Sequence, residues 1–496
     1  MSKPRLASDG SLSRVSRRDM LRASGLGFGG LALGCLLDEE AAGEATASAH
    51  TNAPWGADLT PKPSQFPAQA RAVIMLMQNG GPGQMELFDP KPDLQAHAGQ
   101  TFGEKVEMFQ KGSEVNKLLA SPFKFRPAGQ CGMELSEVIP HLAGVADDIC
   151  LVRSMHTEHN NHTEALVMFN TGKIFPGRPA LGSWVSYALG TENQNLPAYI
   201  VLRDPEGYNT SGTLLWQNAW LPALYRGTEF SSQGPAVLNL KPRLAQPAEA
   251  QRDDLDLLAR LNEEHRRSYP QETELDARIR NYELAARMQL AAGETLDLSR
   301  ETAATQRLYG LDNPETSGYG LRCLMARRLV ENGVRFVQIF PPVKPQFQPW
   351  DSHTNVKTEN EAICAKTDLS SAGLIKDLKQ RGLLDSTIVL WSGEFGRLPV
   401  SQNGSGRDHN RNAFSLIVAG GGFRRGCVHG TTDEVGYRAA DARVSVPDLH
   451  GTILHQLGFD HRRLAFVHHG RPETLTDAPL TKARVVTEIL ERPVRI

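Results

Sequence analysis

The spacing of apolar and polar positions divides the chain into short, continuously apolar runs separated by longer segments of helical period. The runs are Ala72-Val73-Ile74-Met75-Leu76-Met77, Ile149-Cys150-Leu151-Val152, Val334-Arg335-Phe336-Val337-Gln338-Ile339, Thr387-Ile388-Val389-Leu390-Trp391 and Ser415-Leu416-Ile417-Val418-Ala419. A strand that is apolar at successive positions, rather than at alternate ones, suits a sheet covered on both faces. With helix-like segments between the runs, the pattern predicts an α/β fold with a central, mostly parallel sheet between helices.

Two stretches break the alternation. Between about 248 and 307 the sequence becomes charged and helical, as in Asp254-Leu255-Asp256-Leu257-Leu258-Ala259-Arg260-Leu261, and predicts a solvent-facing helical insertion. From Asp38 to about Ala70 the chain is rich in Ala, Pro, Thr and Ser and short of large apolar groups, so little burial would offset its ordering entropy. A disordered linker is expected over 50–70, followed by one folded domain over 71–496.

Residues 1–49 hold the start of that linker and a distinct signal. Ser16-Arg17-Arg18-Asp19-Met20-Leu21 precedes a glycine-containing apolar stretch, Ala23 to Leu37, which Asp38-Glu39-Glu40 closes. This resembles a twin-arginine export signal, and its apolar stretch is shorter than the ~20 residues a spanning helix needs. The expectation is export of the folded chain by the twin-arginine route to the periplasm or extracellular space, without a stable membrane span. Cys35 matches a lipoprotein cysteine only loosely, which favours release over lipidation.

Composition narrows the classes. With 40% hydrophobic and 22% charged residues the chain is neither disordered nor membrane-embedded. Lys plus Arg (54) nearly balances Asp plus Glu (56), so no basic field invites nucleic acid. Beyond the signal, Cys131, Cys150, Cys323, Cys364 and Cys427 form no CxxC pair. One disulfide could form in an oxidising compartment, Cys131 and Cys150 being nearest in sequence, but buried free thiols are the default.

Candidate chemistry lies just after the predicted strands, where ligands gather in parallel sheets. Gln78-Asn79-Gly80-Gly81-Pro82-Gly83-Gln84 follows the first run, and a segment with His156, His159 and His162 follows the second. Later come Trp350-Asp351-Ser352-His353, Ser392-Gly393-Glu394-Phe395-Gly396-Arg397 and the Asp408-His409 loop. Asp351, His353, Glu394, Asp408 and His409 are carboxylates and imidazoles of the kind divalent metals accept, so a divalent metal ion is the expected cofactor. Such an ion would polarise an ester oxygen. His162, ahead of an apolar helix, is the candidate nucleophile or a further ligand, with His159 beside it as a second catalytic candidate. Arg397, Arg407 and Arg411 suit an anionic substrate group, with Asn79 a further binding residue. Any one of these fits an ordinary loop or cap; their joint placement after strands points to a metal or anion site.

From about residue 71 onward the chain resembles the exported, sulfatase-like family of unknown function numbered fifteen-hundred-and-one, a branch of the alkaline phosphatase and sulfatase superfamily. The segments that carry the resemblance are Asn79-Gly80-Gly81-Pro82 through Leu87-Phe88-Asp89-Pro90, Phe169-Asn170-Thr171-Gly172 with Pro176-Gly177-Arg178-Pro179, Trp350-Asp351-Ser352-His353, Gly393-Glu394-Phe395-Gly396-Arg397, Arg407-Asp408-His409, and Pro447-Asp448-Leu449 through Thr452-Ile453-Leu454. The resemblance implies two metal sites and a nucleophile at a helix start. Asp351, His353 and His409 would match the first metal site, Glu394 the acidic end of the second, and His162 the nucleophile position. Asn79 stands where an Asp is usual, Glu394-Phe395 replaces an Asp-His pair, and no Ser, Thr or Cys occupies the nucleophile position, which excludes a formylglycine. A neutral Asn79 would weaken a second cation site, so one metal is expected.

These readings converge on an exported metal-dependent hydrolase of phosphate or sulfate esters, with a small-molecule or glycan ester as substrate. The alternative is a non-catalytic protein that binds an anion or sugar in a degenerate site.

Overall fold

A computed structural model describes residues 58–237, 247–269, 273–343 and 347–493. The paired arginines, Cys35 and the first part of the expected linker lie outside the described residues. The contacts separate a main unit, Trp55–Phe466 with Glu473–Ile496, from a small one whose described part is Val467–Pro472; the site lies wholly in the main unit.

Its strands are β1 (Ala72–Met77), β2 (Ile149–His156), β3 (Tyr199–Leu202), β4 (Thr228–Glu229), β5 (Phe336–Ile339), β6 (Thr387–Ser392), β7 (Phe414–Ala419), β8 (Cys427–His429) and β9 (Val444–Ser445). They form one nine-stranded sheet in the order β8-β2-β7-β6-β1-β5-β3-β4, with β9 also pairing with β2. Every pairing is parallel except those of β7, which runs against β2 and β6. The register sets Met75 of β1 opposite Gln338 of β5 and Leu390 of β6. All residues of β1, β5 and β6 are buried, as their largely apolar runs require of strands covered on both faces. For β1 alone that burial is worth on the order of 10 kcal/mol before chain entropy is subtracted.

The longer helices are α1 (His162–Thr171), α2 (Leu181–Leu189), α3 (Ala248–Ser268), α4 (Thr273–Thr295), α5 (Pro314–Glu331), α6 (Val356–Gln380) and α7 (Val446–Gln456). The helices α3 and α4 occupy the charged segment between 248 and 307, and Leu257, Leu258 and Leu261 of α3 stay exposed. Among the described residues no helix is long and apolar enough to cross a membrane.

The expectation of disorder over 50–70 is corrected from Asp58 onward. Lys62 N donates to Leu189 O at 2.9 Å, Gln65 N to Gly458 O at 2.9 Å, and Ala70 N to Gln456 O at 2.9 Å. Leu189 and Gln456 end α2 and α7, whose last carbonyls lack partners inside their helices. Hydrogen bonding to these helix ends, which apolar content does not report, fixes the segment as a strap on the domain.

Candidate metal centre

The polar residues after β1, β2, β5 and β6 meet at one edge of the sheet. Because β7 is reversed, the loop that precedes it arrives at the same edge and delivers Arg407, Asp408 and His409. A two-residue ladder pairs His409 with Arg397 and Asn410 with Gly396, which ties that loop to the one after β6. The glycine pair after β1 permits the closest approach. Gly80 has φ of 117°, and a Cβ there would stand 2.6 Å from Trp350 N; Gly81 has φ of 76°, and its Cβ would stand 2.6 Å from the Phe395 ring.

Asp351 is the hub. Its Oδ1 lies 2.8 Å from His353 Nε2 and 3.0 Å from His409 Nε2, and the two Nε2 atoms are 3.0 Å apart. The far nitrogens fix the tautomers: His409 Nδ1–H donates to Asn160 O at 2.6 Å, and His353 Nδ1–H donates to Gln402 Oε1. Both imidazoles therefore turn lone pairs toward each other and toward the Asp351 carboxylate. Burial pushes the His409 imidazole down to about 3, assisted by the Arg397 cation, so it is neutral at working pH. Although burial opposes ionisation of Asp351, the Arg397 guanidinium and the three imidazoles hold its carboxyl well below the usual carboxylate range.

His162 opens α1, at the N-terminal end of the helix, and faces both carboxylates. Its Nδ1 is 2.7 Å from Glu394 Oε1, and its Nε2 is 3.2 Å from Asp351 Oδ2 without the alignment of a hydrogen bond. Burial alone would lower this imidazole, but Asp351 and Glu394 outweigh it and push it up to about 9. Glu394 is wholly buried and also accepts from Gly80 N at 3.0 Å.

Donor chemistry fits a divalent cation. Three converging acceptors, from Asp351, His353 and His409, repel one another unless a positive charge stands among them, and both imidazoles are oriented from behind as ligating histidines are. Ligand atoms of His162, Asp351 and His409 lie within 4.8 Å of one another, as do those of His353, Asp408 and His409.

Other residues singled out in the sequence are placed differently. Asp408 accepts from Phe109 N at 2.7 Å, Gln110 N at 2.8 Å and His409 N at 2.8 Å, which makes it an anchor for the loop around Phe109. The guanidinium of Arg397, expected to take a substrate anion, donates to the carbonyls of Gly80, Gly81, Trp350 and Arg407 and to Asp351. Arg407 is likewise committed to Glu86 at 2.8 Å and to the carbonyls of Leu398 and Leu119. Both are buried because a loop crowded with carbonyls needs donors, and that internal demand takes precedence over a substrate. Asn79 donates to Phe347 O and Gln348 Oε1, while its buried Oδ1 has no hydrogen-bond partner. His159 stays outside the cluster: it is partly exposed, accepts from Asn161 N at 3.1 Å and lies 3.8 Å from Glu164. Arg411 pairs with Glu107.

Sequence reasoning missed Phe109, which stacks on His409 at 4.7 Å, and Gln110 and Gln402, which approach His353. Phe395 packs against both His162 and His409. Residues 105–112 carry no strand, helix or ligand signal, and the side chains of Asp408 and Gln402 bring them to the site.

Solved structures similar to this chain include a phosphonate monoester hydrolase from Silicibacter pomeroyi, 12% identical over 86% of this chain and 78% of that one, with a TM-score of 0.34. A lipoteichoic acid synthase from Listeria monocytogenes is 9% identical over 81% and 76%, with a TM-score of 0.32. A sulfatase from Pseudoalteromonas sp. is 12% identical over 74% and 66%, with a TM-score of 0.30. At these values the chemistry of the site is read from its own residues. No curated protein matches the chain. A family model does match, over residues 70–490, and the chain belongs to the family described as "Protein of unknown function (DUF1501)".

Proposed function

We propose that the protein is an exported, metal-dependent hydrolase of phosphate or sulfate esters, acting on a small-molecule or glycan ester. The observation that supports this reading is the meeting of Asp351 Oδ1, His353 Nε2 and His409 Nε2 within 3.0 Å of one another, with both imidazoles held from behind. These three residues would hold the ion, with His162 next to them. A divalent cation bound there would supply Lewis acidity toward an ester oxygen. His162 holds a proton at Nδ1 against Glu394 and turns Nε2 toward Asp351 at the first turn of α1, where helix N–H groups favour an anionic ester. Phe109 and Phe395 cover the faces of His409 and keep water from that ligand.

Metal analysis of folded protein, titration with zinc, manganese and calcium, and a panel of phosphate and sulfate esters test the reading. Uptake that Asp351→Ala and His409→Ala abolish, with turnover of one ester class, is the expected result. Protein that takes up none of the three ions would sink it. With turnover established, His162→Ala should cost at least about a hundredfold in rate. A second reading, a non-catalytic anion- or sugar-binding protein, draws support from the start of α1, which holds His162 where a Ser, Thr or Cys nucleophile would be expected. Ion uptake and tight anion binding without turnover would select it. Export by the twin-arginine route predicts that a reporter fused after residue 60 stays in the cytoplasm when Arg17 and Arg18 are both changed to Lys.

A further inference from the structure

We propose that Cys150 and Cys427 are a disulfide-forming pair that joins the edge strand β8 covalently to β2. The two residues are direct partners in the parallel register of these strands. Their side chains therefore leave the same face of the sheet. Register partners on neighbouring strands have Cα atoms about 5 Å apart, a separation that a disulfide spans. Both thiols are free in this structure, so the pair is available to oxidise.

Access is unequal in a useful way. Cys150 is fully buried, whereas Cys427 is only half-buried on the outermost strand. Cys427 is the thiol that a reagent reaches, and Cys150 is the one that resolves. The adjoining Cys150 thiol lowers the Cys427 thiol despite its burial, and the Arg424 cation adds to the effect. Cys131 is the nearest competitor: it is exposed and packs beside Gly426, where an added Cβ would lie 3.6 Å from its sulfur. This geometry replaces the pairing that sequence proximity suggests, Cys131 with Cys150, because strand register and not chain separation decides which sulfurs meet.

The chemistry is thiol–disulfide exchange with a small-molecule disulfide as oxidant. The Cys427 thiolate attacks one oxidant sulfur, the oxidant S–S bond breaks, and one thiolate leaves. Cys150 then loses its proton, its sulfur attacks the Cys427 sulfur of the mixed disulfide, and the second thiolate departs. Two protein thiols are oxidised and one small disulfide is reduced to two thiols.

The test treats the folded full-length protein with oxidised glutathione, alkylates the remaining thiols under denaturing conditions and maps the peptides. The expected result is loss of two thiols and a peptide that links Cys150 to Cys427, reversed by dithiothreitol. Cys131→Ser should leave that link intact, and Cys427→Ser should leave Cys150 fully alkylated. A map in which Cys150 remains alkylated in the oxidised wild type, or in which Cys427 is linked to Cys131, would overturn the proposal. Because the wild-type map decides by itself, a variant that fails to fold does not blunt the test. The pairing rests on strand register alone and stands or falls independently of the hydrolase reading.

Discussion

The two carboxylates at the centre of the site are set up differently. Glu394 has no exposed side-chain surface and, among the described residues, meets His162 and the Gly80 N–H, whereas Asp351 keeps 18% of its side chain exposed and gathers Arg397 and three imidazoles. A wholly buried carboxylate with few partners is a structural commitment, because removing either partner leaves a buried polar group unmet. A carboxylate surrounded by cation and imidazole groups, and open on one side, is placed for ion binding. Under the proposed reading the difference gives scaffold work to Glu394 and ligand work to Asp351.

Changes on the Glu394 side should act mainly on stability. Glu394→Ala leaves the Gly80 N–H and a protonated His162 without their acceptor, and denaturant unfolding should show a loss of about 4 kcal/mol. A cycle with His162→Gln should recover part of that loss, since the orphaned charge goes with it. A smaller effect is expected from pH alone. Against the effect of burial, Asp351 and Glu394 push the His162 imidazole up to about 9 from its ordinary 6.5, so its contribution is fully present below pH 6.5 and is lost as pH rises through 9. Chelator-treated wild type should lose about 3 kcal/mol across that window, and His162→Gln should lose none of it.

Changes on the Asp351 side should act mainly on the ion. Asp351→Asn should weaken zinc or manganese binding by at least about a hundredfold in calorimetric titration, with the fold intact, because Arg397 keeps its four carbonyl partners. Gln402→Ala frees His353 to rotate and should weaken the same binding about tenfold. His159→Ala lies outside both halves and should alter stability by less than about 0.5 kcal/mol and ion binding not at all. Equal losses of ion affinity in Gln402→Ala and His159→Ala would erase the assignment of ligand work to the Asp351 side.

Much of this arrangement was legible in the chain. The run Ala72–Met77 is β1 residue for residue, and Thr387–Trp391 falls one residue short of β6, because a strand buried on both faces must be continuously apolar. The reversal of β7 was not legible, since an apolar run carries no direction. Asp351, His353, Glu394 and His409 could be gathered from their places beside strands, and His162 from its place before a helix. The separate duties of Asp351 and Asp408 could not, for both are acidic residues beside a histidine, and only three backbone N–H groups tell them apart. Arg407 misled for a related reason: a guanidinium in a glycine-rich loop looks the same in sequence whether it faces a ligand or a buried glutamate.

The strap from Asp58 to Ala70 gives the chain an order of assembly. Its acceptor at Leu189 lies fairly near in the chain, whereas those at Gln456 and Gly458 lie far along it. Gly458 holds φ of 87°, and a Cβ there would stand 2.6 Å from Phe66 O, so the strap can settle only on a turn that is already formed. The strap is thus secured in two stages, at Lys62 by the end of α2 and at Gln65 and Ala70 only once the turn after α7 has formed, so its second half couples the start of the described domain to a distant part of the chain.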